Sequence, residues 1–151
     1  MKVGDSAPEF ILHDQTGQAH SLKDYHGNWV ILYFYPKDDT PGCTAEACAF
    51  RDQRSVFEEL EAIVLGVSTD NQISHLKFAE KYQLEFLILS DKEGRVANTY
   101  GSLFRFWPFK FAKRQTFIID PNGKIAAIYR KVNPKNHSLF IVEELRRLKQ
   151  A

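Results

Sequence analysis

The sequence predicts an α/β fold in which a mixed central β-sheet is flanked by helices on both faces. Two continuous apolar runs, residues 29–35 and 62–68, are typical of strands that are buried on both faces. Helical periodicity separates these runs, and this alternation favours parallel strands joined by crossover helices. A late Pro-Asn-Gly turn, residues 121–123, adds an antiparallel strand pair. A length of 151 residues fits one domain, residues 1–151.

The first half of the chain begins with a short N-terminal β-hairpin. Residues 9–14 and 18–22 are strand-like and flank a Gln-Thr-Gly turn. Pro36 ends the apolar run of residues 29–35. From about Thr40 to Leu60 the pattern becomes helical, and the residues that recur at steps of three to four are Ala47, Phe50, Arg54, Phe57 and Leu60.

The second half continues the alternation of strands and helices. The strand of residues 62–68 precedes an amphipathic helix over residues 71–83, with Asn71 or Asp70 as its N-cap. The remaining predicted elements are a strand over 85–91, a short helix ended by Gly101, a strand hairpin formed by 114–120 and 124–130, and a C-terminal helix with Leu139, Val142, Leu145 and Leu148 along its apolar face.

Composition excludes several function classes. The net charge is +1, so neither a nucleic-acid partner nor a membrane partner is expected. The longest apolar run is too short to span a bilayer, and residues 1–10 show no secretory signal. Two cysteines in such a chain indicate a reducing compartment, so we expect a cytoplasmic location and thiols that are catalytic, redox-active or buried.

Cys43 lies just past the first central strand, where the helix is expected to begin. Thr40 is a good N-cap, Pro41 suits the first helical position, and Gly42 allows close backbone approach. Free N–H groups and the positive end of the helix dipole favour the thiolate of a cysteine in the first turn. If the helix begins at Thr44, Cys43 becomes the cap and the same argument holds. The pattern therefore predicts a nucleophilic thiolate.

Cys48 lies five residues further on, a spacing that fits no common cysteine site. In a helix the two Cα atoms would be roughly 8.7 Å apart, whereas a disulfide needs them within about 7 Å. Either the thiols never pair, or the first helical turns unwind when they do. Cys48 taken alone is better explained as a small buried residue. A zinc site is not expected, because the cysteines and five histidines show no ligand spacing, and Cys-x-x-Cys is absent.

These residues also carry a family resemblance. Pro36, Thr40 and Cys43 fit P-x-x-x-[T/S]-x-x-C, which is similar to the active-site motif of peroxiredoxins. Residues 35–52, YPKDDTPGCTAEACAFRD, closely resemble the peroxiredoxin Q subfamily, also called bacterioferritin comigratory protein. The likeness extends over most of the chain, from GDSAPEFIL to RQTFIIDPNGKI. It implies a thioredoxin-like fold and thiol-dependent peroxidase activity.

The resemblance also implies roles for individual residues. Cys43 corresponds to the peroxidatic cysteine, and Arg114 to an arginine that stabilises its thiolate and the leaving oxygen. Thr40 would place a hydroxyl beside the sulfur, and Pro36 would shield it from bulk water. Glu46 matches an acid that orients the arginine. Without the resemblance, Arg114 would be interpreted as a surface cation at a strand start.

Cys48 resembles the resolving cysteine of the intrasubunit type. The implied reaction is reduction of hydrogen peroxide and organic hydroperoxides, with thioredoxin or a similar dithiol restoring the enzyme. No cofactor or metal is expected, because sulfur is the reactive centre. A monomer is expected, with a weak dimer as the alternative. Two other functions stay open: a redox-switched binding protein that uses the same pair, and a thiol–disulfide oxidoreductase.

One segment departs from the bacterial pattern of the subfamily. Many bacterial members carry a longer segment between the Tyr-Gly pair and the arginine strand, whereas here residues 102–113 form a stretch dense in aromatic residues. The RQT ending that follows is closer to the branch found in photosynthetic organisms. Two interpretations are equally favoured: an apolar collar beside the active site, or a loop that packs on the sheet. The aromatic residues concerned are Phe104, Phe106, Trp107, Phe109 and Phe111.

Overall fold

Nine strands and five α-helices follow the predicted order, with one hairpin and one helix more than expected. The computed structural model describes residues 1–151. The elements are β1 (Ile11–His13), β2 (Ala19–Ser21), a short 3-10 helix (Leu22–Tyr25), β3 (Trp29–Phe34), α1 (Pro41–Asp52), α2 (Arg54–Glu59), β4 (Ala62–Ser68), α3 (Gln72–Tyr82), β5 (Leu87–Ser90), α4 (Arg95–Thr99), β6 (Leu103–Phe106), β7 (Phe109–Ala112), β8 (Gln115–Ile119), β9 (Ile125–Tyr129) and α5 (His137–Gln150). No helix has the length and apolar character needed to cross a membrane.

The central sheet has seven strands in the order β2-β1-β5-β4-β3-β8-β9. Strands β3, β4 and β5 are parallel, whereas β1, β8 and β9 join their neighbours in antiparallel fashion. The predicted mixed sheet and the N-terminal hairpin of β1 and β2 are therefore confirmed. The middle of the sheet is β3, whose Ile31 pairs with Val64 on one side and Ile118 on the other.

Side chains of β3 and the following residue alternate between two cores, which explains the continuous apolar run. Ile31, Tyr33 and Tyr35 pack on the face covered by α1, α2, α3 and α5. The other face is covered by α4, by N-terminal residues and by the base of the β6–β7 hairpin. Helices thus lie on both faces, as predicted, but four of the five lie on the face that carries Cys43.

The predicted single helix from Thr40 to Leu60 is two helices. The helical hydrogen-bond ladder is interrupted at Gln53, whose backbone N–H donates to the carbonyl oxygen of Phe50, three residues back. Phe50 and Phe57 still pack together, with ring centroids 5.9 Å apart. Because both helices bury residues on the same core, the apolar spacing continues across the break and conceals it.

The predicted apolar face of the C-terminal helix was wrong at Leu139. That side chain is 56% exposed, whereas Ile141 and Leu145 are fully buried. The rotation of α5 is set at its first residue, His137, which is buried against Phe50. Steps of four residues from His137 lead to Ile141 and Leu145, while a step of two places Leu139 on the opposite side.

Residues 103–112 form a hairpin of their own, β6 and β7, outside the central sheet. Leu103 packs against the second core and Ala112 is buried within it. The aromatic side chains of the hairpin mostly point outward, and Trp107 at the turn is 91% exposed. The structure therefore favours the exposed collar over a loop packed on the sheet.

Candidate active site

The site lies where β3 ends and α1 begins. The helix starts at Pro41 with Thr40 at the N-cap, so Cys43 lies in the first turn rather than at the cap. Thr40 occupies the predicted position without capping the helix, because its hydroxyl donates to the carbonyl oxygen of Lys37 at 3.0 Å. The first backbone N–H groups of a helix have no intrahelical acceptor, and those of α1 lie at the end that carries Cys43.

Arg114 joins Cys43 and Glu46 in one buried cluster. Its Nη2 donates to the Cys43 sulfur at 3.3 Å, and its Nη1 donates to Glu46 Oε1 at 2.8 Å. Cys43 and Glu46 are each only 1% exposed. The antiparallel register of β3 and β8 pairs Phe34 with Gln115, so Arg114 emerges beside the end of β3, where α1 begins.

Gly42 makes the approach of the guanidinium possible. A Cβ atom at this position would lie 3.0 Å from Arg114 Nη2 and 3.7 Å from Cγ of Pro134. Contacts as short as 3.0 Å force a neighbour to move, so any larger residue would push the guanidinium away from the sulfur. Gly42 therefore has a second role besides its place at the start of the helix. Its lack of a side chain leaves room for the Arg114 guanidinium.

The cluster has one cation and two acidic groups. Partial burial disfavours the charged guanidinium, but Cys43 and Glu46 outweigh it and raise the pKa of Arg114. Burial raises the pKa of Glu46 from 4.5 to about 7, although Arg114 opposes the shift. The second oxygen, Glu46 Oε2, has no hydrogen-bond partner. Because the guanidinium is shared with the sulfur, its stabilisation of the buried carboxylate is incomplete.

Two residues near the cluster were not singled out from the sequence. The Tyr33 hydroxyl is buried without a partner, and its ring stacks on Phe50 with centroids 4.7 Å apart. Burial, followed by the charge of Glu46, raises the pKa of Tyr33 well above its usual value. His137 Nε2 lies 2.8 Å from Thr116 Oγ1, and burial lowers its pKa to about 4. The sequence did hold one clue to Tyr33: it carries a hydroxyl within a strand that is buried on both faces.

The other predicted site residues lie around this cluster. Pro36 is half-buried and lines a depression of about 400 Å³ together with Phe104 and Phe111. Cys48 is half-buried on α1, and both cysteines are free thiols. The helix runs unbroken from Pro41 to Asp52, so the structure does not bring the two sulfurs together.

A second polar cluster holds the loop between β3 and α1. Asp38 accepts hydrogen bonds from the Tyr35 hydroxyl at 2.6 Å and faces His75 Nδ1 at 2.7 Å. His75 Nε2 lies 3.0 Å from the carbonyl oxygen of Leu89. Asp70 Oδ2 accepts from the backbone N–H of Asp38. The three side chains lie close enough to reach one metal ion, but each already has hydrogen-bond partners, and these bonds tie the loop to α3 and β5.

Comparison with known proteins agrees with the motif. The model of the AhpC/TSA family matches residues 3–128. Peroxiredoxin Bcp of Bacillus subtilis is 43% identical over 157 residues, covering 99% of this chain and 96% of that protein. The crystal structure of Peroxidoxin BcpB from Mycobacterium tuberculosis has 37% identity and a TM-score of 0.91, with 97% of each chain covered.

A second solved relative carries information on substrate. The bacterioferritin comigratory protein of Xanthomonas campestris, described with alkyl peroxide reduction activity, is 29% identical with a TM-score of 0.85 over 91% of this chain and 90% of that one. These structures share the thioredoxin-like peroxiredoxin fold, which confirms the predicted fold class. The chain therefore belongs to the AhpC/TSA family and, within it, to the peroxiredoxins of the Q or bacterioferritin comigratory protein group.

Proposed function

We propose that this peroxiredoxin reduces hydrogen peroxide and organic hydroperoxides through a sulfenic acid on Cys43. The observation that carries the proposal is the 3.3 Å contact between Arg114 Nη2 and the sulfur of a cysteine in the first turn of a helix. Guanidinium and free helix N–H groups both favour the thiolate, which is the nucleophilic form. The alkyl peroxide reduction described for the Xanthomonas relative supports the organic substrates.

In the first step the Cys43 thiolate attacks one oxygen of the hydroperoxide. A sulfur–oxygen bond forms, the O–O bond breaks, and the second oxygen leaves as alkoxide or hydroxide, which takes up a proton. The guanidinium of Arg114 would stabilise the thiolate before the step and the charge on the leaving oxygen during it. Glu46 would act as a positioning residue, because it holds the other guanidinium nitrogen at 2.8 Å.

Thr40 and Pro36 are assigned supporting roles. The Thr40 hydroxyl bonds to Lys37 in the structure and would turn toward a bound peroxide, since a hydroxyl rotates freely about its C–O bond. Pro36 lines the depression beside the aromatic hairpin and would limit access of water to the sulfur. Neither residue needs to titrate for these roles.

In the second step Cys48 would attack the sulfenic sulfur, forming a disulfide and releasing water. The helical spacing of roughly 8.7 Å between the Cα atoms exceeds the reach of a disulfide, so the start of α1 must unwind. An external dithiol such as thioredoxin then reduces the disulfide by exchange. Because both cysteines lie in one helix, we propose that the protein acts as a monomer of one domain, residues 1–151, in a reducing compartment such as the cytoplasm.

Two cysteine variants test the reaction sequence. We expect Cys43→Ser to abolish peroxide consumption and Cys48→Ser to form one sulfenic acid per chain while losing turnover supported by thioredoxin. Trapping with a sulfenic-acid reagent, followed by mass spectrometry, measures the first product, and a coupled assay measures turnover. Full activity of Cys43→Ser would refute the mechanism, and unchanged turnover of Cys48→Ser would remove Cys48 from it.

The same assay distinguishes a peroxidase from a redox-switched binding protein. A redox-switched binding protein would react with peroxide once and would not need a guanidinium on its thiol, so Arg114→Gln would leave its oxidation rate nearly unchanged. For the peroxidase we expect a loss of about a hundredfold, comparable to removal of one oxyanion-hole donor. Arg105→Gln, a substitution on the exposed hairpin, is the matched control and should have no effect on peroxide consumption.

A further inference from the structure

The β6–β7 hairpin has one aromatic face. In an antiparallel pair, residues directly opposite share a face, and so do residues two positions apart. The register pairs Phe104 with Phe111 and Phe106 with Phe109, so these four rings lie together on one side. Trp107 occupies the turn between the strands. The hairpin thus presents an aromatic face that ends in an indole.

This face is open to solvent and stands away from the fold. Trp107 is 91% exposed, Phe106 68%, Phe109 59% and Phe104 49%. Exposed apolar residues clustered on one surface mark interaction sites. Exposure is greatest at Trp107 and Phe106, so the tip of the hairpin carries the most accessible apolar surface.

The charges that the hairpin itself carries are all positive, although the chain as a whole is nearly neutral. Residues 94–119 contain no aspartate or glutamate, and their five basic residues are Arg95, Arg105, Lys110, Lys113 and Arg114. Arg105 and Lys110 pair across the hairpin on the face opposite the phenylalanines. Lys37 and Lys113 border the aromatic face beside Phe104 and Phe111. The partner of this surface must therefore combine apolar and anionic character.

We propose that the β6–β7 hairpin docks the protein on anionic lipid bilayers. Indole and phenyl rings on one face, with lysine and arginine beside them, are the composition that binds at the boundary of headgroups and acyl chains. The rings would enter the interface, and the cations would contact lipid phosphate groups. A second copy of the chain is less well matched, because the same one-sided positive charge would repel itself across an interface that joined the two hairpins.

Docking would place the mouth of the proposed active site at the lipid surface. Phe104 and Phe111 line the same depression as Pro36, which lies in the loop that leads to Cys43. Hydroperoxide groups carried by lipid acyl chains would then be within reach of the thiolate. This consequence for substrate choice rests on the proposed peroxidase function, whereas the docking itself does not.

Vesicle binding tests the proposal with the intact, reduced protein. We expect sedimentation with vesicles of phosphatidylcholine and phosphatidylglycerol, and little with phosphatidylcholine alone. The double variant Phe106→Ser/Trp107→Ser should bind at least about tenfold more weakly. Arg105→Gln/Lys110→Gln should lose about fivefold for each cation removed. The control Leu139→Ser/Phe140→Ser removes exposed apolar residues from α5 and should bind like the unmodified protein.

Fluorescence locates the contact. In a Trp29→Phe background Trp107 is the single indole, and its emission should shift to the blue and be quenched by bromine-labelled lipid chains. Consumption of hydrogen peroxide in the absence of vesicles should be the same for every hairpin variant, which separates this proposal from the peroxidase function. Absence of binding to anionic vesicles at low salt would overturn the proposal. Self-association that Phe106→Ser/Trp107→Ser abolishes, without vesicle binding, would also overturn it and assign the face to a second copy.

Discussion

Glu46 and His137, two buried groups near Arg114, should have opposite and largely cancelling effects on the pH dependence of stability. Burial raises the pKa of Glu46 from 4.5 to about 7, and it lowers the pKa of His137 from 6.5 to about 4. Each shift is about 2.5 pH units, which corresponds to about 3 kcal/mol at 1.36 kcal/mol per unit. The perturbations to make are Glu46→Gln and His137→Gln, since glutamine can keep a hydrogen bond to Arg114 in one case and to Thr116 in the other.

The two contributions have opposite signs. Between pH 4.5 and about 7 the folded state binds the Glu46 proton more tightly than the unfolded state, so stability falls as pH rises. Between about pH 4 and 6.5 the unfolded state binds the His137 proton more tightly, so stability rises with pH. Over the shared window the unmodified protein should change little. Glu46→Gln should gain about 2 kcal/mol from pH 4.5 to 6.5, and His137→Gln should lose a similar amount.

Urea unfolding of the reduced proteins at several pH values measures this directly. The quantity to compare is the free energy of unfolding of each variant minus that of the unmodified protein, because exposed carboxylates that titrate in all three then cancel. A Glu46→Gln curve parallel to that of the unmodified protein from pH 4.5 to 8 would refute the reasoning, since Glu46 would then not titrate in this range. The double variant should regain a flat profile.

Two further substitutions test the supports of the site. Gly42→Ala should lower the rate constant for peroxide by about tenfold, because its Cβ would meet Arg114 Nη2 at 3.0 Å, while stability should not fall, since alanine favours helix; an unchanged rate measured by stopped flow would contradict this. Asp38→Asn should destabilise the fold by about 3 kcal/mol in urea unfolding, because it removes the carboxylate that the buried His75 faces. The control Asp39→Asn, at an exposed ion pair, should change stability little, and equal losses would show that the Asp38 cluster has no special importance.

The elements that the sequence predicted correctly are those in which local pattern and burial agree. The run of residues 29–35 is apolar throughout because β3 is covered on both faces. The start of α1 follows from Pro41 and Gly42, whose preferences are local. The position of Leu139 could not be predicted in this way, because the rotation of α5 depends on His137 packing against Phe50, which lies in another helix.

The β6–β7 hairpin shows that apolar residues do not always mark the buried face of a strand. Its phenylalanines alternate as in a strand, but they face solvent, and the buried positions are Leu103 and Ala112. An interpretation that assigns the phenylalanines of this hairpin to the core therefore predicts the wrong face to be buried. In the site, the proximity of Arg114 to Cys43 depends on the register of β3 and β8 across 71 residues. No local spacing contains that information, so only the family resemblance pointed to Arg114.

The proposed catalytic cycle requires α1 to open where it is most deeply packed. Cys43, Ala47 and Phe50 form its buried stripe, and bringing Cys48 to Cys43 must expose part of that stripe. The exposed stripe opposes opening of the helix, whereas the buried carboxyl of Glu46 favours it. Because opening the first turns would return this group to water, its unfavourable burial above pH 7 lowers the free energy of opening by up to about 3 kcal/mol. About 3 kcal/mol is an upper limit. Once Cys43 is a sulfenic acid, Arg114 is no longer shared with the thiolate and stabilises the Glu46 carboxylate more fully.

We therefore expect Glu46→Gln to slow disulfide formation at pH 8 and to leave it unchanged at pH 5, where the native carboxyl is itself protonated. The measurement is the rate at which Cys43 sulfenic acid converts to the Cys43–Cys48 disulfide after one equivalent of peroxide, followed by rapid quenching and mass spectrometry. Glu58→Gln, at an exposed position on α2, is the matched control. Equal slowing at both pH values would mean that glutamine acts by altering the hydrogen bond to Arg114, and the buried charge would then have no part in opening the helix.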